Sequence, residues 1–138
     1  MQVDLERLLP HRGPARFVQQ VLHRDAQRAE CVAVVPRASA YAEGGSAAAL
    51  LVVELAAQAA GVHHGLGGHG GGPGGRLVGL KSLHLATEHL ACDVETRLVV
   101  TLEDQRLPLA TYRFQACVGS TELASGVLTL WIGEVALG

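Results

Sequence analysis

Apolar residues fill nearly every position of residues 47–65, AAALLVVELAAQAAGVHHG. An apolar pattern on all sides is typical of a buried helix rather than of a surface helix. This segment carries one carboxylate, Glu54, and Gln58 follows four residues later on the same helix face. Burying an ionisable group is costly unless the group is paired or used. The pattern therefore predicts a central helix that presents Glu54 to a ligand, with a purely structural helix as the alternative.

The apolar pattern before this helix predicts a β-hairpin. Residues 15–23 and 27–35 both have strand character, and a polar turn separates them. Residues 36–46 carry no such pattern, and we expect them to be irregular. Ser46 is the predicted N-cap of the helix, because a serine hydroxyl can accept a hydrogen bond from a free N–H of the first turn. Residues 4–9 predict a short helical turn, and residues 11–14 a tight turn.

Four further strands are predicted after the helix, at residues 77–85, 94–102, 110–118 and 123–132. Residues 86–93 are predicted to be irregular, and the glycine-rich residues 65–75 to be a flexible loop. That loop is not expected to bind phosphate, because a helix is predicted before it and the GxxxxGK[ST] spacing is missing. The element order, β-β-α-β-β-β-β, predicts an α+β fold in which one long helix packs on one antiparallel sheet.

Length and charge narrow the possible functions. The 138 residues fit a single domain, residues 1–138. A net charge of −2 gives no basic surface for nucleic acid, and five aromatic residues are too few for a base-stacking platform. The central apolar segment is too short, and too interrupted by polar residues, to predict a membrane span.

Cysteine and histidine usage adds further expectations. The three cysteines are odd in number and lack CxxC spacing, which suits reduced thiols, and the first residues lack the pattern of a signal peptide. We therefore expect a soluble cytoplasmic protein.

His63 and His64 are adjacent and cannot share a helix face, and no HExxH motif is present, so we predict no metal site and no cofactor. A serine hydrolase is not expected, because the GxSxG motif is missing.

Two motifs resemble those of the hotdog-fold 3-hydroxyacyl carrier-protein dehydratases. Residues 9–12, LPHR, with Pro14 and the Phe-Val pair that follows, are similar to the family's N-terminal LPHRxPxxxVD stretch. Residues 54–61, ELAAQAAG, resemble its central-helix motif ExxAQxxG. His63 and Gly65 are similar to the end of that helix in a branch tied to aryl polyene and other polyketide-like lipids. Gly79 also falls where these proteins place a small residue.

The resemblance implies a hotdog fold and a hydro-lyase in fatty-acid or polyketide-type lipid synthesis. Such an enzyme dehydrates a 3-hydroxyacyl thioester, carried on acyl carrier protein or coenzyme A, to the trans-2-enoyl product. Glu54 then matches the acid that assists the departing hydroxyl, and Gln58 the glutamine that orients it. Backbone N–H groups near the helix start would polarise the carbonyl. The resemblance also implies a homodimer with shared sites, with a heterodimer or a higher oligomer as further possibilities.

One element of the family pattern is missing. The histidine of the family's HFPGxPxxPG loop lies fourteen residues before the carboxylate, and here that position is Ala40. Tyr41 is adjacent, but a phenol of ordinary pKa near 10 is a weak base at neutral pH. His11, His63 and His64 are the other candidate proton carriers.

This departure leaves enzymatic activity uncertain and keeps two alternatives open. In a hotdog thioesterase, Glu54 would activate water or attack the thioester carbonyl. In a catalytically silent subunit, the chain would bind acyl groups or pair with an active partner. We therefore predict Glu54, Gln58, Tyr41 and His63 as site residues of a dehydratase-like protein.

Overall fold

The computed structural model describes residues 16–66 and 76–132. The predicted turns at residues 4–9 and 11–14, with His11, lie outside these ranges. So do His69 and the glycine-rich stretch at residues 67–75.

Nine strands and one α-helix form the described chain. The helix, α1, spans Val52–Leu66, and a short 3-10 turn, Ala49–Leu51, leads into it. Each of the six predicted strands is present, with boundaries shifted by a few residues. The strands are β1 Val18–Arg24, β2 Arg28–Ala33, β3 Ala42–Glu43, β4 Ser46–Ala48, β5 Arg76–Leu85, β6 His89–Ala91, β7 Thr96–Arg106, β8 Leu109–Val118 and β9 Thr121–Trp131.

The segment before the helix differs from the prediction. Ser46 does not cap the helix, because it lies in strand β4 and pairs with Glu43 and Ala91. Ala48 is the N-cap residue of the 3-10 turn and makes no side-chain hydrogen bond there, and the backbone N–H of Ala49 donates to the carbonyl of Glu88 at 3.0 Å. The two stretches predicted to be irregular thus contain β3, β4 and β6, which form a small sheet in the order β3-β4-β6. The local sequence pattern does not predict this sheet, because β3 and β4 are very short and β4 pairs with β6, more than forty positions later in the chain.

The large sheet has six antiparallel strands in the order β1-β2-β7-β8-β9-β5. The helix packs mainly on β1, β2, β7 and β8. Between the two layers lies a core of small and branched apolar side chains, with Phe17, Tyr112 and Phe114 as its largest aromatic residues. One helix on one antiparallel sheet confirms the predicted α+β class. None of the described helices is long and apolar enough to cross a membrane.

Candidate active site on the central helix

The central helix is buried on almost all sides but has one more open stripe. Leu50, Glu54 and Ala57 follow one another at helical spacing, and none of them is fully buried. The residues around them on the helix, including Val53, Leu55 and Gln58, are buried. Glu54, the one carboxylate of the helix, therefore lies on this partly exposed stripe.

Gln58 is held firmly beside Glu54. Its side chain is 1% exposed, and its Oε1 accepts hydrogen bonds from the backbone N–H groups of Phe17 at 2.8 Å and Val18 at 3.2 Å. Because two donors fix the carbonyl end of the amide, the Nε2 end points to Glu54 and donates to its Oε1 at 3.3 Å. This arrangement supplies the carboxylate with a hydrogen-bond donor of fixed direction.

Tyr41 lies close to this pair through Phe17. The Tyr41 ring meets the Phe17 ring edge-on, with centroids 6.3 Å apart, and the Tyr41 side chain is 61% exposed. Phe17 in turn donates its backbone N–H to Gln58. A series of contacts therefore connects Tyr41, through Phe17, with the Gln58–Glu54 pair.

His63 occupies a different environment. It is 2% exposed, its Nδ1 lies 2.8 Å from the hydroxyl of Tyr112, and its Nε2 lies 2.9 Å from the backbone carbonyl of Asp25. A carbonyl can only accept, so Nε2 carries the proton and donates it, while Nδ1 accepts from Tyr112. Burial lowers the pKa of His63 and raises that of Tyr112, so both groups stay neutral at pH 7.

Helix geometry separates His63 from Glu54. Nine residues rotate a helix by about 900°, which places the two side chains on opposite faces, about 13 Å apart along the axis. Arg24 closes the His63 end by donating from Nη2 to the His63 carbonyl at 3.1 Å. The structure therefore does not bring His63 to the carboxylate, although the sequence places both on the same helix.

The other described histidines lie at the end of the helix and on strands β1, β5 and β6. His64 is buried near the helix end, and His84 and His89 are exposed on β5 and β6. His23 is in contact with the Asp25 carboxylate at 3.1 Å and, with two backbone donors, lowers the pKa of Asp25 to about 2. Ala40, at the position where the family has its histidine, is exposed.

Sequence reasoning missed two contributors. The backbone N–H groups of Phe17 and Val18 fix Gln58, whereas the sequence indicates the Phe-Val pair only as part of a motif. Arg24 closes the helix end, and no sequence signal connects it with His63, which lies 39 positions away.

The described residues do not form a metal site. In residues 16–66 and 76–132, no three His, Cys, Asp or Glu side chains are grouped closely enough to hold an ion. Cys31, Cys92 and Cys117 are free thiols, and burial raises the pKa of Cys31 to about 12. That thiol is therefore protonated and unreactive at neutral pH.

Solved structures with the same architecture include dehydratase and thioesterase chains. A chain of the dehydratase heterocomplex ApeI:P from Xenorhabdus doucetiae is 20% identical, with a TM-score of 0.85 over 95% of this chain and 91% of that chain. A mutant of the phenylacetic acid degradation protein PaaI from Thermus thermophilus is 17% identical, with a TM-score of 0.59 over 81% and 90% of the two chains. Thioesterase superfamily member 2 from Mus musculus is 15% identical, with a TM-score of 0.54 over 83% and 81%. These likenesses confirm the predicted hotdog fold.

A match to a family model, rather than to an individual relative, identifies the family of this chain. No curated protein matches this sequence. The model of the ApeP-like family, described as ApeP dehydratase, matches residues 3–134, which include both dehydratase-like motifs and the predicted site residues Tyr41, Glu54, Gln58 and His63. The predicted resemblance to dehydratases is thereby confirmed, and the chain belongs to the ApeP-like dehydratase family.

Proposed function

We propose that this protein dehydrates a 3-hydroxyacyl thioester, with Glu54 as the acid and Gln58 as its positioning residue. One observation carries the proposal: the only carboxylate of a buried helix lies on the helix's open stripe and receives a hydrogen bond from a rigidly held amide. Membership of a dehydratase family supports the same reaction.

The reaction requires a base as well as an acid. A base removes the proton on the carbon next to the thioester carbonyl, and that C–H electron pair forms the new C=C bond. The C–O bond at the third carbon then breaks, and the hydroxyl leaves as water after taking a proton from the Glu54 carboxyl group. Both transfers occur on one short substrate segment, so the two groups must lie within hydrogen-bond reach of it.

Tyr41 is our candidate for the base, and it must enter the reaction deprotonated, because only the phenolate oxygen can take the substrate proton. Its exposed ring packs edge-on against Phe17, whose backbone N–H binds Gln58. His63 takes no part in the proposed reaction, because both of its ring nitrogens are hydrogen-bonded on the opposite face of the helix from Glu54. Acyl carrier protein or coenzyme A would carry the substrate, in fatty-acid or polyketide-type lipid synthesis in the cytoplasm. The similar ApeI:P chain is part of a heterocomplex, which supports action together with a second hotdog subunit.

Turnover of a 3-hydroxyacyl thioester, followed by enoyl absorbance, tests the proposal. We expect Glu54→Gln to reduce turnover by about 10²- to 10⁴-fold, the range for loss of a general acid. Glu43→Gln, at an exposed carboxylate on β3, is the matched control and keeps wild-type turnover. Tyr41→Phe tests the base in the same assay, because it removes only the hydroxyl.

A catalytically silent acyl-binding subunit is the second candidate function. It is favoured by the setting of His63, whose two ring nitrogens are both engaged on the far helix face, and by the alanine at position 40, where the family pattern has its histidine. This function predicts saturable binding of an acyl thioester without turnover on either carrier. Release of free thiol instead of enoyl product would identify a thioesterase and contradict both candidates.

A further inference from the structure

The outer face of the large sheet, on the side away from the helix, carries an exposed apolar pair. Leu109 of β8 and Trp131 of β9 lie directly opposite each other in the ladder and are 38% and 42% exposed. Their neighbours Ala110 and Leu130 are fully buried in the core. Because successive residues of a strand point to opposite faces, the pair points away from the core. Exposed apolar side chains that lie together mark a candidate interaction surface.

An arginine stands at each end of this pair. Arg106 of β7 is the ladder partner of Leu109, and Arg76 of β5 is that of Trp131. These four residues form one row across four strands, the outer-face row, which is about 14 Å long at the usual spacing of strands. Both arginines are exposed. Arg106 forms an ion pair with Asp104 at 3.1 Å, whereas Arg76 forms none with the described residues.

The apolar pair projects from its surroundings. The next row towards the centre of the sheet has short side chains, Asp104, Thr111, Thr129 and Gly79. At the other side lies the turn between β7 and β8, where Leu107 is 71% exposed, the most of the described large apolar side chains. A projecting surface does not enclose a small molecule, since pockets for small ligands are concave. It suits a broad partner.

The charge around the outer-face row is positive. Four cations lie on this part of the outer face: Arg76, Lys81, Arg106 and Arg113. Two carboxylates, Asp104 and Glu103, accompany them, and each is paired with an arginine. This excess of cations contrasts with the net charge of −2 of the whole chain. The row therefore complements a negative surface, and it does so with a tryptophan ring and leucines at its centre.

We propose that this protein binds the surface of an anionic lipid bilayer through the outer-face row. Trp131, Leu109 and Leu107 enter the headgroup layer, where tryptophan rings are enriched, and the two arginines donate to lipid phosphates. Three apolar side chains form a shallow anchor, so binding is reversible and weakens with salt. The helix lies on the other face of the sheet, so the bilayer leaves it uncovered. This inference goes beyond the proposed function and does not depend on it.

Tryptophan fluorescence tests the inference directly, because Trp131 is the only tryptophan of the chain. We expect vesicles of equal parts phosphatidylcholine and phosphatidylglycerol to shift its emission to shorter wavelengths, since the ring leaves water. Brominated lipid in these vesicles should quench the emission. Vesicles of phosphatidylcholine alone should bind at least about tenfold more weakly, because the arginines then lack the attraction of a negative surface.

Charge variants locate the contact. Arg76→Gln and Arg106→Gln should each lower the partition into mixed vesicles by about fivefold, the usual contribution of one basic residue near an anionic surface. Arg97→Gln is the matched control, because it removes the same charge from the same face of β7, about 30 Å from Arg106 along the strand. That variant should keep wild-type partition.

An apolar variant tests the anchor. Leu107→Asp places a negative charge at the most exposed leucine, and we expect at least about tenfold weaker partition. Leu22→Asp, at an exposed leucine of β1, is the control and should bind as wild type does. Circular dichroism checks that each variant is folded, and the comparison of the two vesicle types on the wild type decides the inference without any variant.

Several results would overturn the inference. Unchanged Trp131 emission with mixed vesicles is one, and an equal change with neutral vesicles is another. Protection of Trp131 from acrylamide before any lipid is added would show that protein already covers the row. Binding to polyglutamate but not to vesicles would assign the row to an acidic protein partner instead. The assay contains no thioester, so failure of the proposed dehydration leaves its result unaffected.

Discussion

The central helix carries an ionisable residue near each end, Glu54 in its first turn and His63 in its last, and the two differ in burial and in hydrogen-bond partners. At the Glu54 end, a carboxylate lies on the open stripe and Gln58 positions it. At the His63 end, the imidazole is sealed between Tyr112 and the carbonyl of Asp25, and Arg24 closes the helix. A buried histidine with both nitrogens bonded stabilises the fold, whereas a reachable carboxylate with a fixed donor can do chemistry. Position on a helix does not distinguish these roles, but hydrogen-bond partners and access do.

The largest effect on stability is expected at the sealed end. His63→Leu leaves the Tyr112 hydroxyl and the Asp25 carbonyl without their partner, and we expect the free energy of unfolding to fall by about 2–4 kcal/mol. Urea unfolding measures this loss, and His89→Leu, at an exposed histidine on β6, is the control with a change below about 0.5 kcal/mol. Turnover per folded molecule should stay within about threefold, since no reacting group is removed. A collapse of turnover with unchanged stability would make His63 catalytic and remove the contrast between the ends.

Substitution of Gln58 should lower both stability and turnover, because its side chain binds the backbone of Phe17 and Val18 as well as the Glu54 carboxylate. In Gln58→Leu, the N–H groups of Phe17 and Val18 lose their acceptor, and we expect a loss of about 1–3 kcal/mol in the free energy of unfolding. Glu54 also loses its donor, so turnover should fall by about 10- to 100-fold, as expected for a misplaced catalytic group. Gln115→Leu, at an exposed position of β8, is the control. A loss of stability with full turnover would show that Gln58 serves the fold alone.

The smallest effect is a pH dependence of stability at the sealed end. The folded-state pKa of His63 lies below its ordinary value near 6.5, so the unfolded chain binds a proton first as the pH falls. The stabilisation is therefore complete above about pH 6.5 and is lost as the pH falls further, by at most about 1.4 kcal/mol per pH unit. Unfolding free energies at pH 7.5 and 5.5 should differ less in His63→Gln than in wild type. His89→Gln should keep the wild-type difference, and equal differences in all three proteins would exclude His63 as the titrating group.

Several features could be predicted from sequence because each depends on a local pattern. The strand predicted at residues 110–118 corresponds to β8, where Tyr112 and Phe114 alternate with less buried residues, a pattern that consecutive residues display by themselves. The Glu54–Gln58 pair followed from a spacing of four residues on one helix. The motifs identified the family, since a contiguous motif is visible without any tertiary contact.

The missed features depend on contacts between distant segments. Ser46 has the chemistry of an N-cap, but in the structure it pairs with Ala91, 45 residues later in the sequence, as part of the small sheet. Tyr41 is connected with Gln58 through Phe17, which is distant from both residues in the sequence. Propensity and periodicity describe a few consecutive residues and hold no information about such pairings.

By itself, the sequence determined the α+β class, the buried central helix and the presence of a carboxylate with a glutamine one turn away. The tertiary structure alone decided which polar residues of that helix are sealed and which stay open. It also decided that the helix covers only part of the sheet and leaves the leucines of β5 exposed. The physical reason is that hydrogen-bond geometry and burial depend on where distant elements pack, whereas amphipathic periodicity is complete within a single element.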